Sequence, residues 1–168
     1  MSTGAQRDSS EHRTERSPRA PASGSASGAS LEELAAHLAA LPDADVVELL
    51  IATGARIGEV LALRWDDVNL DAGTLTICGT VSLTAEKPRR AFRQDHPKTS
   101  SSRRTLLLPD FGLAVLLRRS VTGPNSDLIF PSSKGTVRDP ATARKTLKLA
   151  LNGTGLEWVT PHTFRRTV

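Results

Sequence analysis

Two pairs of residues, each with an arginine that can bind an anion, lie at the start of predicted helices. Arg56 and Glu59 follow the helix break at Gly54 and are three residues apart. Residues at this spacing lie on one face of a helix, so we expect Glu59 to hold Arg56 through a hydrogen-bonded ion pair. His162 and Arg165 have the same spacing at the start of the last predicted helix. An imidazole, a guanidinium and the free N–H groups of a helix N-terminus together suit a phosphate.

A third candidate, Lys98, lies in a polar segment between two predicted strands, inside a strongly basic stretch. A lysine at the tip of a hairpin can approach a phosphate oxygen as a point charge. The arginines of this stretch that we expect to contact a polyanion are Arg89, Arg90, Arg93, Arg103 and Arg104. Taken singly, these features favour a plainer interpretation: a helix salt bridge for Arg56 and Glu59, a solvated basic loop around Lys98, and a surface pair for His162 and Arg165.

Helical patterns surround a short stretch of strand patterns. Apolar residues recur at helical spacing in 31–41, 46–51, 57–65 and 111–119, with Gly54 as a stop for the second of these helices. Asp139-Pro140 and Thr160-Pro161 each place proline at the first position of a further helix.

Between these helices the period changes to that of strands. Thr74 to Ile77, Ala91-Phe92 and Arg104 to Leu108 are short β-rich runs, and we expect them to form one antiparallel sheet with Lys98 in the connection between the last two. The predicted fold is therefore α+β, a mainly helical domain with a small three-stranded antiparallel sheet.

Composition limits the remaining classes of function. The 168 residues carry a net charge of +4 and a pI of about 9.8, which suits a polyanion such as DNA. Residues 1–30 hold no apolar side chain larger than Ala beyond Met1, so we expect a disordered tail before a domain over 31–168. Cys78 is the only cysteine, which excludes an internal disulfide or a CxxC zinc site. We expect a cytoplasmic protein without membrane span, metal, cofactor or small-molecule substrate.

Taken together and in order, three segments resemble the tyrosine recombinase (phage integrase) family. TGARIGEVLALRWDDVN at 53–69 is similar to the first catalytic-arginine motif, HPKTSSSRRTLLLP at 96–109 to the catalytic-lysine hairpin, and TPHTFRRT at 160–167 to the HxxR motif. The resemblance covers roughly residues 31–168 and implies the DNA breaking-rejoining fold of that family's catalytic domain.

The resemblance also implies a role for each matching residue. Arg56 and Arg165 would grip the non-bridging oxygens of the scissile phosphate, since a guanidinium donates two parallel hydrogen bonds and stays charged. Lys98 would protonate the leaving 5′ oxygen, and His162 would hydrogen-bond the phosphate or assist proton movement. Glu59 would orient Arg56. The implied partners are double-stranded DNA and possible further recombinase protomers, and the implied activity is site-specific recombination or integration of a mobile element.

One departure from the family pattern concerns the nucleophile. The sequence contains no tyrosine, whereas the family attacks phosphorus with a tyrosine that follows the HxxR motif. We therefore expect a catalytic domain truncated before that residue, and a chain that engages DNA but does not cut it alone. The alternative is a non-catalytic DNA-binding remnant or an inert fragment.

Overall fold

The computed structural model describes residues 40–41, 43–95, 103–152, 157 and 159–164. The predicted helix over 31–41 lies almost wholly outside these residues, as do Lys98 and Arg165. The helices are α1 (Ala44–Thr53), α2 (Ile57–Val60), a 3-10 turn (Trp65–Asp67), α3 (Asp110–Thr122), α4 (Pro140–Ala150) and α5 (Pro161–Phe164). The strands are β1 (Val68–Asn69), β2 (Thr74–Ile77), β3 (Thr80–Leu83), β4 (Ala91–Gln94) and β5 (Arg104–Leu107).

Helix α1 ends where the sequence predicts. Gly54 adopts a left-handed conformation at φ 57°, and its N–H donates to the carbonyl of Leu50 at 3.0 Å. Glycine takes this conformation without a Cβ penalty, which explains the stop. The chain then turns directly into α2, so Arg56 caps the N-terminus of α2 instead of lying within α1.

Three of the other predicted helices are also confirmed, and one is shorter than expected. Helix α3 spans three residues more than predicted at its C-terminal end, and α4 starts at Pro140 with the Asp139 carboxylate accepting the N–H of Ala141 at 2.8 Å. The predicted start of α5 at Pro161 is likewise found. Helix α2 has only four residues instead of running to Trp65. The described residues hold no helix whose length and apolar character would let it cross a membrane.

The α+β fold class is confirmed, but the pairing of strands differs from the prediction. The three-stranded antiparallel sheet has the order β1-β2-β5, with Leu75 opposite Leu106, and β3 and β4 form a separate two-stranded antiparallel sheet. The predicted strand at Ala91-Phe92 therefore pairs with Thr80–Leu83, a strand the sequence did not suggest. Strands β4 and β5, which precede and follow residues 96–102 in the sequence, therefore lie in different sheets. The sequence of a short strand says little about which strand it will pair with, and side-chain packing decides the pairing.

The core lies between the helices and the inner face of the three-stranded sheet. Leu75 and Ile77 of β2 are buried in one apolar cluster with residues of α1 and α3 such as Leu49 and Leu116. A Cβ at Gly112 would lie 2.7 Å from the Cβ of Ala52, so α1 and α3 approach closely at that point. This rigid body holds the short helix α2 and the first residue of β5 in fixed positions.

Candidate nucleic-acid interface

A single carboxylate organises the start of α2. Glu59 Oε2 accepts the backbone N–H of Arg56 at 2.8 Å, which satisfies one of the N–H groups that a helix start leaves free. This is one half of a capping box. The reciprocal half cannot form, because an arginine side chain has no hydrogen-bond acceptor. Glu59 instead uses its second oxygen, Oε1, to accept from Arg56 Nη1 at 3.1 Å. The predicted contact between these two residues is therefore present.

The same carboxylate also binds a second arginine from the sheet. Arg104 Nη2 donates to Glu59 Oε2 at 2.9 Å, and Arg104 Nη1 lies 3.5 Å from Oε1. The side chain of Glu59 is 6% exposed, that of Arg104 is 31% exposed and that of Arg56 is 63% exposed. Solvent exposure therefore increases from the buried Glu59 carboxylate through Arg104 to Arg56, whose guanidinium is the most exposed of the three.

The pKa of Glu59 is lowered from its ordinary value of 4.5. Burial is the largest single cause and raises the pKa, but the hydrogen bonds from Arg104 and from the backbone and side chain of Arg56, together with the charge of Arg104, outweigh it. Glu59 is therefore ionised at neutral pH, and Arg56 is held by a full charge.

Arg93, one of the expected DNA contacts, lies elsewhere. Its side chain is 6% exposed, with Nη2 3.1 Å from Asp67 Oδ2 and Nε 3.1 Å from Asp95 Oδ1. Its guanidinium is surrounded by protein and faces two carboxylates, so this placement argues against a contact between Arg93 and a phosphate. Its position joins β4 to the 3-10 turn and so ties the two-stranded sheet to the body of the domain.

Cys78, which is half-buried, contacts both Asp67 and Arg93. Its Sγ donates to Asp67 Oδ1 at 2.9 Å, and Arg93 Nη2 donates to Sγ at 3.1 Å. Burial and the adjacent Asp67 carboxylate raise the pKa of the Cys78 thiol above its ordinary value of 9.0, although Arg93 acts against them. The raised pKa favours the protonated thiol at neutral pH, and the thiolate is the nucleophilic form.

The exposed cations of the basic stretch lie at the turn between β3 and β4. Lys87, Arg89 and Arg90 are all exposed there. The turn is closed by hydrogen bonds from Thr84 N to the Arg90 carbonyl at 3.0 Å and from Arg90 N to Thr84 Oγ1 at 2.9 Å. Arg103, beside Arg104, is exposed as well. Charges in such positions are free to meet a polyanion.

The remaining predicted site residues are only partly described. His162 is exposed at the start of α5, a helix that contacts α1. Lys98 and Arg165 lie outside the described residues, so the structure brings together Arg56, Glu59 and Arg104 and leaves the predicted convergence with Lys98 and Arg165 untested. Within the described ranges, no three His, Cys, Asp or Glu side chains gather as a metal site would require.

Sequence reasoning missed the partners that the sheet supplies. Asp67 accepts the N–H of Arg64 at 2.9 Å and binds Arg93, just as Glu59 accepts the N–H of Arg56 and binds Arg104. The Arg-x-x-acid spacing, present twice in 56–67, was a signal for both carboxylates. The residues near Glu59 and Asp67 in sequence did not indicate that an arginine from a strand would bind each carboxylate.

The sequence is similar to that of known recombinases. The sequence profile described as "Phage integrase family" matches residues 28–168. The "Tyrosine recombinase XerC-like" protein of Caldanaerobacter subterraneus subsp. tengcongensis is 25% identical over 138 residues, covering 71% of this chain and 35% of that protein.

Solved structures share the fold at lower identity. The Tn1549 transposon integrase in complex with a circular intermediate DNA superposes with a TM-score of 0.70 at 15% identity, covering 90% of this chain and 52% of the integrase chain. The XerA recombinase superposes with a TM-score of 0.55 at 20% identity, covering 81% and 47% respectively. The chain therefore spans about a third of the XerC-like protein and about half of the solved structures.

Proposed function

Because the chain belongs to the phage integrase family, we propose that it is the catalytic-domain part of a site-specific tyrosine recombinase and binds double-stranded DNA. The Tn1549 integrase shares this fold, and its solved structures contain bound transposon DNA. The net charge of +4 and the exposed cations support the same partner for this chain.

The observation that carries this proposal is the state of Arg56. Its backbone N–H and its Nη1 are both held by Glu59, yet its side chain is 63% exposed. A guanidinium has five N–H donors, so a fixed and open one still offers a planar pair to an anion. Such preorganised donors stabilise the charge that develops on a phosphate during strand cleavage.

In the proposed reaction each matching residue has one task. Arg56 and Arg165 bind the non-bridging oxygens of the scissile phosphate, and His162 hydrogen-bonds the same group. A tyrosine hydroxyl attacks phosphorus, releases its proton and forms the 3′-phosphotyrosine bond, while the bond to the 5′ oxygen breaks and Lys98 protonates that oxygen. The chain contains no tyrosine, so this nucleophile is not among its own residues.

A DNA-binding measurement tests whether the exposed arginines of the β3–β4 turn contact DNA. We expect a short duplex to bind with an affinity that falls steeply with salt, because each neutralised phosphate contributes about −0.9 to the slope of log K against log salt. The Arg89→Ala/Arg90→Ala variant should flatten this slope by about 1.8, the value for two lost phosphate contacts. The control Lys145→Ala/Lys148→Ala removes the same charge from exposed positions of α4 and should leave the slope unchanged. Equal slopes in the two double variants would contradict this placement of the DNA.

The absence of tyrosine favours a second candidate, a non-catalytic DNA-binding remnant. On either view the chain alone should form no covalent adduct with a nicked suicide duplex, and an adduct that survives a denaturing gel would refute both. The coding DNA that follows codon 168 separates them. A tyrosine-bearing helix encoded in frame there supports the recombinase, and an in-frame stop without one supports the remnant.

A further inference from the structure

We propose that Arg104 is a positioning residue, which acts on bound phosphate through Glu59 and Arg56 rather than by touching DNA. This inference rests on the proposed function and replaces the direct DNA contact that the sequence suggested for Arg104. It gives the domain a three-residue relay from the sheet to the anion site.

The hydrogen bonds of Glu59 carry the first step. Its two oxygens receive four donors at 3.5 Å or less, two from Arg56 and two from Arg104. A carboxylate offers about four lone-pair positions, so this set fills them. The Glu59 carboxylate therefore has little freedom to rotate, and the Arg56 donors that it binds share its fixed orientation.

The backbone position of Arg104 carries the second step. It is the first residue of β5 and pairs with Ile77 of β2, a residue that is 1% exposed. The guanidinium that faces Glu59 thus projects from a strand anchored on the core. Helix α2, with only four residues, is too short to be rigid without such support.

Charge gives the third step. A lone Arg56–Glu59 pair has no net charge and would attract a phosphate poorly. Arg104 adds a second guanidinium to the same carboxylate, so the three side chains together keep a net charge of +1. Because Arg104 is 31% exposed and Arg56 is 63% exposed, that excess is presented to solvent mainly through Arg56. Glu59 can hold Arg56 without cancelling its attraction for an anion.

A double-mutant cycle on binding of a short duplex tests the relay. Arg104→Ala should weaken binding by about threefold to tenfold in the wild-type chain, the coupling expected of residues in one network. In an Arg56→Ala chain the same change should alter affinity by less than about twofold, because the residue that it positions is gone. The neighbouring exposed Arg103→Ala serves as the matched control, and its effect should be the same in both backgrounds.

Three outcomes overturn the inference. Additive losses in the two backgrounds, with the salt slope falling by about 0.9 even in Arg56→Ala, would make Arg104 a direct phosphate contact. Unchanged DNA affinity in Arg104→Ala despite lower stability would leave it a purely structural residue. If Arg104→Ala reduces the folded fraction, Arg104→Gln keeps most of the stem and one donor, and a cycle that is additive with Gln refutes the relay equally.

The proposed function fails in a different way. An Arg56→Ala chain that binds DNA as tightly as the wild type would remove Arg56 from the interface, whatever the effect of Arg104. A loss in Arg56→Ala together with an additive effect of Arg104→Ala overturns only the relay.

Discussion

Replacing Glu59 with glutamine should destabilise the domain in a pH-dependent way. The carboxylate is 6% exposed and accepts from Arg56 and Arg104 through both of its oxygens. A glutamine keeps one acceptor oxygen and turns an NH2 group, itself a donor, toward donors that lose their partner. Breaking a buried ion pair typically costs roughly 3–5 kcal/mol. Since Arg104 and especially Arg56 remain in contact with water, we expect a loss of about 2 kcal/mol in the free energy of unfolding.

Urea unfolding, followed by circular dichroism, measures this loss. The pKa of Glu59 is lowered in the folded state, so its ionised form stabilises the fold above the ordinary value of 4.5, and this contribution disappears as pH falls through the folded-state pKa. The difference between wild type and Glu59→Gln should therefore be largest at neutral pH and shrink in acid. The matched control is Glu86→Gln, an exposed carboxylate in the β3–β4 turn, which should change stability by less than about 0.5 kcal/mol.

Two results would refute this reasoning. An unfolding free energy unchanged by Glu59→Gln would mean that the four hydrogen bonds add nothing beyond hydration. A loss that stays constant as the pH drops below 4.5 would mean that packing, not charge, sets the cost.

Three further changes test other parts of the structure. Gly112→Ala should destabilise by about 1–3 kcal/mol in urea unfolding, because its Cβ would lie 2.7 Å from that of Ala52; Ala52→Gly in the same chain should restore part of the loss, and no recovery would contradict the overlap. Arg93→Met should cost about 1–3 kcal/mol by removing the cation that pairs with the Asp67 carboxylate, whose side chain is 10% exposed, without changing the salt slope of DNA binding; a flatter slope would return Arg93 to the interface. Iodoacetamide should alkylate Cys78 far more slowly in the folded chain than in urea at neutral pH, because its pKa is raised, and equal rates would contradict this.

The strand pairing shows where local pattern stops being informative. Thr74–Ile77 was found from its own β-rich run, and its buried residues Leu75 and Ile77 alternate as a strand's do. Thr80–Leu83 was not expected as a strand, although its polar and apolar residues alternate, because it has only four residues and only two of them are apolar. Ala91–Gln94 was found but given the wrong neighbour, since a four-residue strand does not encode which edge it joins.

The sequence by itself determined those helix ends that a cap or a proline marks, and the residue types available for binding an anion. Gly54, Asp139 and Pro161 act within one or two turns of their own position, so their effect is local and readable. The spacing of Arg56 and Glu59 likewise implied their contact, because residues three apart in a helix are neighbours in any fold.

Only the tertiary structure decided what the other arginines do. Arg93 and Arg104 belong to one basic stretch and look alike in sequence, yet Arg93 is buried against Asp67 and Arg104 is bound to Glu59 from a distance of 45 residues along the chain. A cation's role depends on which carboxylate lies within reach, and that is fixed by how β4 and β5 pair with their sheets. Pairing between strands that are distant in sequence, unlike a helix cap, cannot be recognised from the residues next to each strand.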